Sequence, residues 1–246
     1  MTMKIMLRAL ALSVAVISFT AGAATYSGNG NTGFGGPIGQ GSLTLSDDGT
    51  TVSGTVNKGP NGFNDVLVLY LDSMAGGFAD TSGFADGADG LRRAISGFDG
   101  GNNRSLMTFN GMLPDYAIAL GPTSDSFGGL WQLANGGANS LNFVSSVDLV
   151  PIGDGNSGTY TFSFNLSQIG ITPNTAFTFD LLGTYISNSG YRSDEALPGN
   201  VTGTQGWNAF TQTGLGTYSV VPEPSSLSIL GAGAGLTLLG LRRRRP

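Results

Sequence analysis

At 246 residues the chain has room for one ordinary domain plus processing segments. It carries 41 Gly but no Cys and no His, which removes a disulfide framework and the usual ligands of zinc, copper and haem. Net charge is −5, yet Lys4, Arg8 and Arg242, Arg243, Arg244 and Arg245 hold most of the basic charge at the two ends; the body between them, near −10, repels phosphate backbones and excludes nucleic acid as a partner.

In chain order, residues 1–23 read as a secretory signal peptide. Lys4 and Arg8 form its basic start, residues 9–19 its apolar centre, and Ala21 and Ala23 the small-x-small pattern at which it is cut. Residues 24–41 are a Gly-rich segment. Residues 42–221 are then expected to fold, because the helical period is almost absent and short alternating runs recur between Gly, Asn and Asp clusters.

The runs at 42–46 and 50–57 flank Asp47, Asp48 and Gly49, which predicts a hairpin. VLVLYLD at 66–72 is continuously apolar and predicts a strand covered on both faces. Further strands are expected at 105–109, 116–120, 129–133, 139–150, 159–165, 176–187 and 217–221, and short helical turns at 90–96 and 166–169. About ten strands separated by turns predict an all-β protein, an antiparallel, jelly-roll-like β-sandwich. DVLVLYLDS, LPDYAIALG and the strand before RSDEALPG resemble, in pattern and order, carbohydrate-binding sandwich modules of the DOMON-like type.

Residues 222–246 close the chain. The apolar run at 227–241 is 15 residues long, short of the roughly 20 that span a bilayer comfortably. Arg242 to Arg245 would hold its end on the cytoplasmic side. Val221, Pro222, Glu223, Pro224 and Ser225, followed by this short transmembrane helix and the terminal arginines, resemble the PEP-CTERM sorting signal. The resemblance covers the last tenth of the chain. It implies a Gram-negative bacterium, passage through the secretion translocon, transient anchoring in the inner membrane, and removal of the tail by an exosortase near Pro222-Glu223-Pro224. It also implies a place at the cell surface or in an exopolysaccharide-rich, biofilm-like matrix.

The body offers little for catalysis. Without an imidazole, Ser–His–Asp and Cys–His arrangements are excluded. Glu195 is the one glutamate of the body, and its neighbour Asp194 would point to the opposite face of a strand, a poor pair for glycoside hydrolysis, so the remaining alternative of a carboxylate-based glycoside hydrolase requires a distant Asp as partner. The expectation is a non-catalytic protein without a cofactor. Two binding alternatives stand beside it. Asp72, Asp80, Asp86 and Asp89 lie in one Gly-rich stretch that would either make solvated turns or hold calcium. Trp131, Trp207, Tyr191 and Tyr116 are candidates for a sugar-binding platform; Trp207, in the polar GTQGWNAFTQTG expected as a loop, and Tyr191 are the foremost ligand contacts, whereas Trp131 is expected to face the core. Arg192 is expected in a surface pair with Asp194 or Glu195, and Arg92 and Arg93 on a solvated short helix.

Overall fold

The computed structural model describes residues 22–125, 127–133 and 141–221. The signal-peptide helix, Ala21, the residues from Pro222 to Arg245 and the C-terminal apolar helix lie outside the described residues. Among the described residues no helix is long and apolar enough to cross a membrane.

The chain forms a β-sandwich. The first sheet contains β1 (Ala23–Ser27), β2 (Ser42–Asp47), β3 (Thr51–Asn57) and β9 (Thr159–Asn165), in the order β1-β2-β3-β9, all antiparallel. The second contains β4 (Val66–Asp72), β6 (Tyr116–Leu120), β7 (Gly128–Gln132), β8 (Asn142–Val147), β10 (Phe177–Ile186) and β11 (Arg192–Ala196), in the order β11-β10-β4-β6-β7-β8. β14 (Gly216–Val220) pairs with the first half of β10, from Phe177 opposite Val220 to Leu181 opposite Gly216. β11 pairs with its other end, where Ile186 faces Arg192. A third, small sheet joins β12 (Asn200–Gly203), β13 (Ala209–Gly214) and β5 (Leu106–Thr108), with β13 and β5 parallel.

The side-chain period of two explains the layering. In β4, Leu67, Leu69 and Leu71 face the first sheet and meet Leu43, Leu45, Val52, Val56, Tyr160 and Phe162. Val66, Val68 and Tyr70 face the other way, into a second core with Met107, Val201, Phe210 and the helix α1 (Gly90–Ser96). The apolar run at 66–72 is therefore a strand covered on both faces, as its sequence predicts. Its partner β6 has the same double burial. Helix α1 starts where the Asp89 carboxylate accepts the Arg92 N–H (2.9 Å) and ends at Gly97, whose left-handed backbone stops the turn. Leu91, Ala94 and Ile95 bury its inner face, so only part of this helix is solvated.

The structure adds strands that the sequence leaves unmarked. The segment at 24–41, read as a Gly-rich stretch ahead of the fold, begins inside β1, so the first sheet starts at Ala23 and not at residue 42. The second half of GTQGWNAFTQTG is strand β13, with Phe210 and Gln212 pointing inward, and not loop. RSDEA forms β11 and is almost wholly buried, so the expected surface pair of Arg192 is absent. Arg192 instead points into the second core, where its guanidinium donates to Thr184 Oγ1 and, at 3.3 Å, to the Tyr70 hydroxyl. Glu195 points to the opposite face.

Candidate functional site

Glu195 organises one end of the sandwich. Its side chain is fully buried and each carboxylate oxygen accepts two backbone N–H groups. Oε1 takes Phe34 (2.7 Å) and Gly36 (3.2 Å); Oε2 takes Ile38 (3.0 Å) and Gly39 (2.9 Å). All four donors come from the segment at 28–41, which has no regular ladder of its own. The buried charge thus replaces a ladder, and the close approach demands glycine: a Cβ on Gly39 would overlap the Asn31 carbonyl. Asp194, one residue earlier, serves the same loop from its other side. Its Oδ1 accepts the Gly33 N–H (3.1 Å) and its carbonyl accepts the side-chain amides of Asn29 (2.8 Å) and Asn31 (3.0 Å). The Glu195 charge also reaches Asp65, whose carboxyl is pushed above its ordinary range, mainly by burial and further by Glu195. With its oxygens committed, Glu195 has no free face for a substrate.

On this frame sits a row of three half-exposed rings. Phe34 stacks on Tyr191 (centroids 6.0 Å apart, planes 17° apart), and Tyr191 meets Trp207 at a right angle (5.8 Å, 90°). Three separate segments supply them. Phe34 is rooted in the core through an edge contact with Tyr185 (5.5 Å), which continues through Phe63 to Tyr160. Tyr191 is held by its N–H on Ser187 Oγ (3.0 Å). The Trp207 loop is clamped to β11, because Arg192 and Gly206 exchange both backbone hydrogen bonds (3.3 and 2.9 Å). Within that loop the Asn208 amide donates to the carbonyls of Thr204 and Gln205.

The structure therefore brings together the two ring contacts expected from sequence, Tyr191 and Trp207, and adds Phe34. The other two candidates are elsewhere: Trp131 (1% exposed) lies in the second core, its ring meeting that of the exposed Phe143, and Tyr116 (7% exposed) is in the first. Phe34 was missed because a Gly-rich stretch has no periodicity to read. The usable signal was a lone large ring among residues that bury little themselves.

The four aspartates considered for calcium do not converge. Asp72 accepts the Leu113 N–H (2.7 Å). Asp80 caps the 3₁₀ turn Thr81–Gly83. Asp86 accepts from Ala88 and Leu141, and Asp89 caps α1; both carboxylates approach Arg92 Nε (3.7 and 3.5 Å). Asp80, Asp86 and Asp89 satisfy nearby backbone donors, which is the turn-making alternative, whereas Asp72 ties the end of β4 to the distant Leu113. Among the described residues no group of three or more carboxylates is placed to hold a metal ion.

Asp72 has a different consequence. It lies directly across the β4–β10 ladder from Asp180, and its carboxyl is raised by partial burial, with the Asp180 charge adding to this. A carboxyl raised in the folded state costs stability above its folded pKa and stops costing it as the pH falls through that value. Asp72→Asn is thus expected to stabilise the protein by about 0.5 kcal/mol at pH 7, since like charges directly opposite destabilise a sheet by amounts of that order. The gain over wild type should shrink on acidification toward pH ~4, the ordinary carboxyl range. Thermal melts across pH 4 to 7 check this; a gain that stays constant with pH would refute the electrostatic cause.

Comparison with known proteins places the remaining piece. No curated protein and no solved structure matches the chain. The family model described as the PEP-CTERM protein-sorting motif matches residues 220–245. That match opens on Val220, the last residue of β14, so every described strand is complete where the motif begins. The chain carries the PEP-CTERM protein-sorting motif at residues 220–245, the signal of an exported protein sorted by an exosortase.

Proposed function

We propose that the sandwich is a non-catalytic cargo which the exosortase route delivers to the cell surface or extracellular matrix, where it works beside exopolysaccharide. The observation that supports this reading is the junction at Val220: β14 ends there, so a cut near Pro222-Glu223-Pro224 removes the tail and leaves the sheets whole. The body adds no imidazole or thiol nucleophile, and its one glutamate is spent on a loop.

The test uses the native strain with and without its exosortase. Wild-type chain should reach the surface or medium at the mass of the trimmed form. Without exosortase, or with Pro222→Ala and Pro224→Ala together, untrimmed chain should accumulate in the membrane fraction. Unchanged mass and unchanged surface delivery in both would overturn the route to function.

A second reading is favoured by the ring row: the cargo holds polysaccharide through Tyr191 and Trp207. Half-exposed rings fixed by a buried frame are a recurrent way of presenting apolar area with polar neighbours.

A further inference from the structure

We infer that Phe34, Tyr191 and Trp207 form one preorganised binding ledge for a neutral, hydroxyl-rich polysaccharide, and that acidic polysaccharides are rejected there. The inference deepens the polysaccharide-holding reading of the same residues.

Three features carry it. Phe34 comes from a segment far in the chain from Tyr191 and Trp207, and the three rings meet on one surface, each remaining partly exposed although the apolar core lies directly beneath Phe34. Each ring is held by groups that do not depend on a ligand: the Glu195 carboxylate under Phe34, Ser187 under Tyr191, and the paired Arg192–Gly206 backbone beside Trp207. Such a surface loses little conformational freedom on binding, which favours affinity. The rim is polar, with Asp194 beside Gly33, exposed Gln205 reaching the same glycine, and exposed Asn208.

The chemistry of the ligand follows from these groups. Aromatic rings accept the C–H faces of pyranose rings, while carboxylate and amide side chains bond to hydroxyls. The ionisable side chain on the rim is an aspartate, and the nearby guanidinium of Arg192 is fully buried and turned into the second core. A body near −10 repels a polyuronate further. A neutral chain avoids both costs.

The experiment uses the full chain in a detergent without a sugar headgroup, probed with a soluble neutral β-glucan, a neutral α-glucan and polygalacturonate, at low and high salt. Binding is read by affinity electrophoresis, and by emission of Trp207 in a Trp131→Phe background. Binding to a neutral glucan should shift the Trp207 emission, and Trp207→Ala and Tyr191→Ala should each weaken it about tenfold or more, the scale of an interface hot spot. Their melting temperatures should stay near that of wild type. Preference for polygalacturonate would overturn the ligand class while leaving polysaccharide binding intact. Neutral-glucan binding unaffected by either ring variant would overturn the location. Absence of binding to all three would overturn the ledge and the reading beneath it.

Discussion

Glu195→Gln is expected to destabilise the sandwich by about 3 kcal/mol or more, although it changes one atom's identity and almost no volume. The buried carboxylate accepts four backbone N–H groups, two on each oxygen. A glutamine keeps one oxygen and puts an NH₂ against the other pair of donors, so two buried N–H groups lose their acceptor. Each such loss costs roughly 1–3 kcal/mol. For a body of this size the melting temperature should drop by about 10 °C, at roughly 2–4 °C per kcal/mol. Because the donors lie in the segment at 28–41, limited proteolysis should show new cleavage there before global unfolding. A melting temperature within about 2 °C of wild type would show that the loop has other support.

Gly183→Ala is the second large effect, and its cause is steric. Gly183 lies in the middle of β10, opposite Leu69 of β4, and exchanges backbone hydrogen bonds with the turn after β11: its N–H donates to the Pro198 carbonyl and its carbonyl accepts from Leu197. The Leu197 carbonyl sits where a Cβ would be, so even a methyl group overlaps backbone and not a movable side chain. β10 is the strand on which β4, β11 and β14 all pair, so it cannot shift alone. Overpacking at this point is expected to cost more than about 3 kcal/mol, at or beyond the upper end for buried insertions. The check is soluble yield together with a chemical denaturation curve. A native-like midpoint for Gly183→Ala would mean the turn at 197–198 moves freely.

The two variants also mark the boundary of what was legible. Elements whose partners are local, or whose burial shows as a pattern, were readable: VLVLYLD as a doubly covered strand, TYTFSFN by its alternation, the Asp47-Asp48-Gly49 turn, and the short helix at 90–96. RSDEA was not, because three ionisable residues among five look solvent-facing. Their burial is made possible by donors and acceptors more than a hundred residues away, Phe34 and Gly39 for Glu195, Tyr70 for Arg192. The order of the Gly-rich segment at 28–41 has a similar origin: beside a few backbone hydrogen bonds of its own, it is held from β11 by Glu195 and Asp194. β13 was hidden for another reason. Thr211, Gln212 and Thr213 are polar, and the parallel partner β5 is a hundred residues earlier.

At the site, the sequence supplied Tyr191 and Trp207 as separate candidates on chemical grounds. Their meeting depends on β11 and on the Arg192–Gly206 pairing, which only the fold shows. The aspartates, by contrast, attracted notice for lying together in one Gly-rich stretch, and the structure spends Asp80, Asp86 and Asp89 on turns and caps and Asp72 on the Leu113 N–H.

The long strand β10 sets a direction for the whole cargo. At its Phe177 end lies Val220, where the sorting motif begins, and Gly22 stands beside Val221, so the two ends of the described chain lie at the same end of the sandwich. At its Ile186 end lie Arg192, Tyr191 and Trp207, about 30 Å away at the rise of an extended strand. The ring row thus lies at the end of the sandwich opposite both ends of the described chain, so a tether at either of them leaves the rings uncovered.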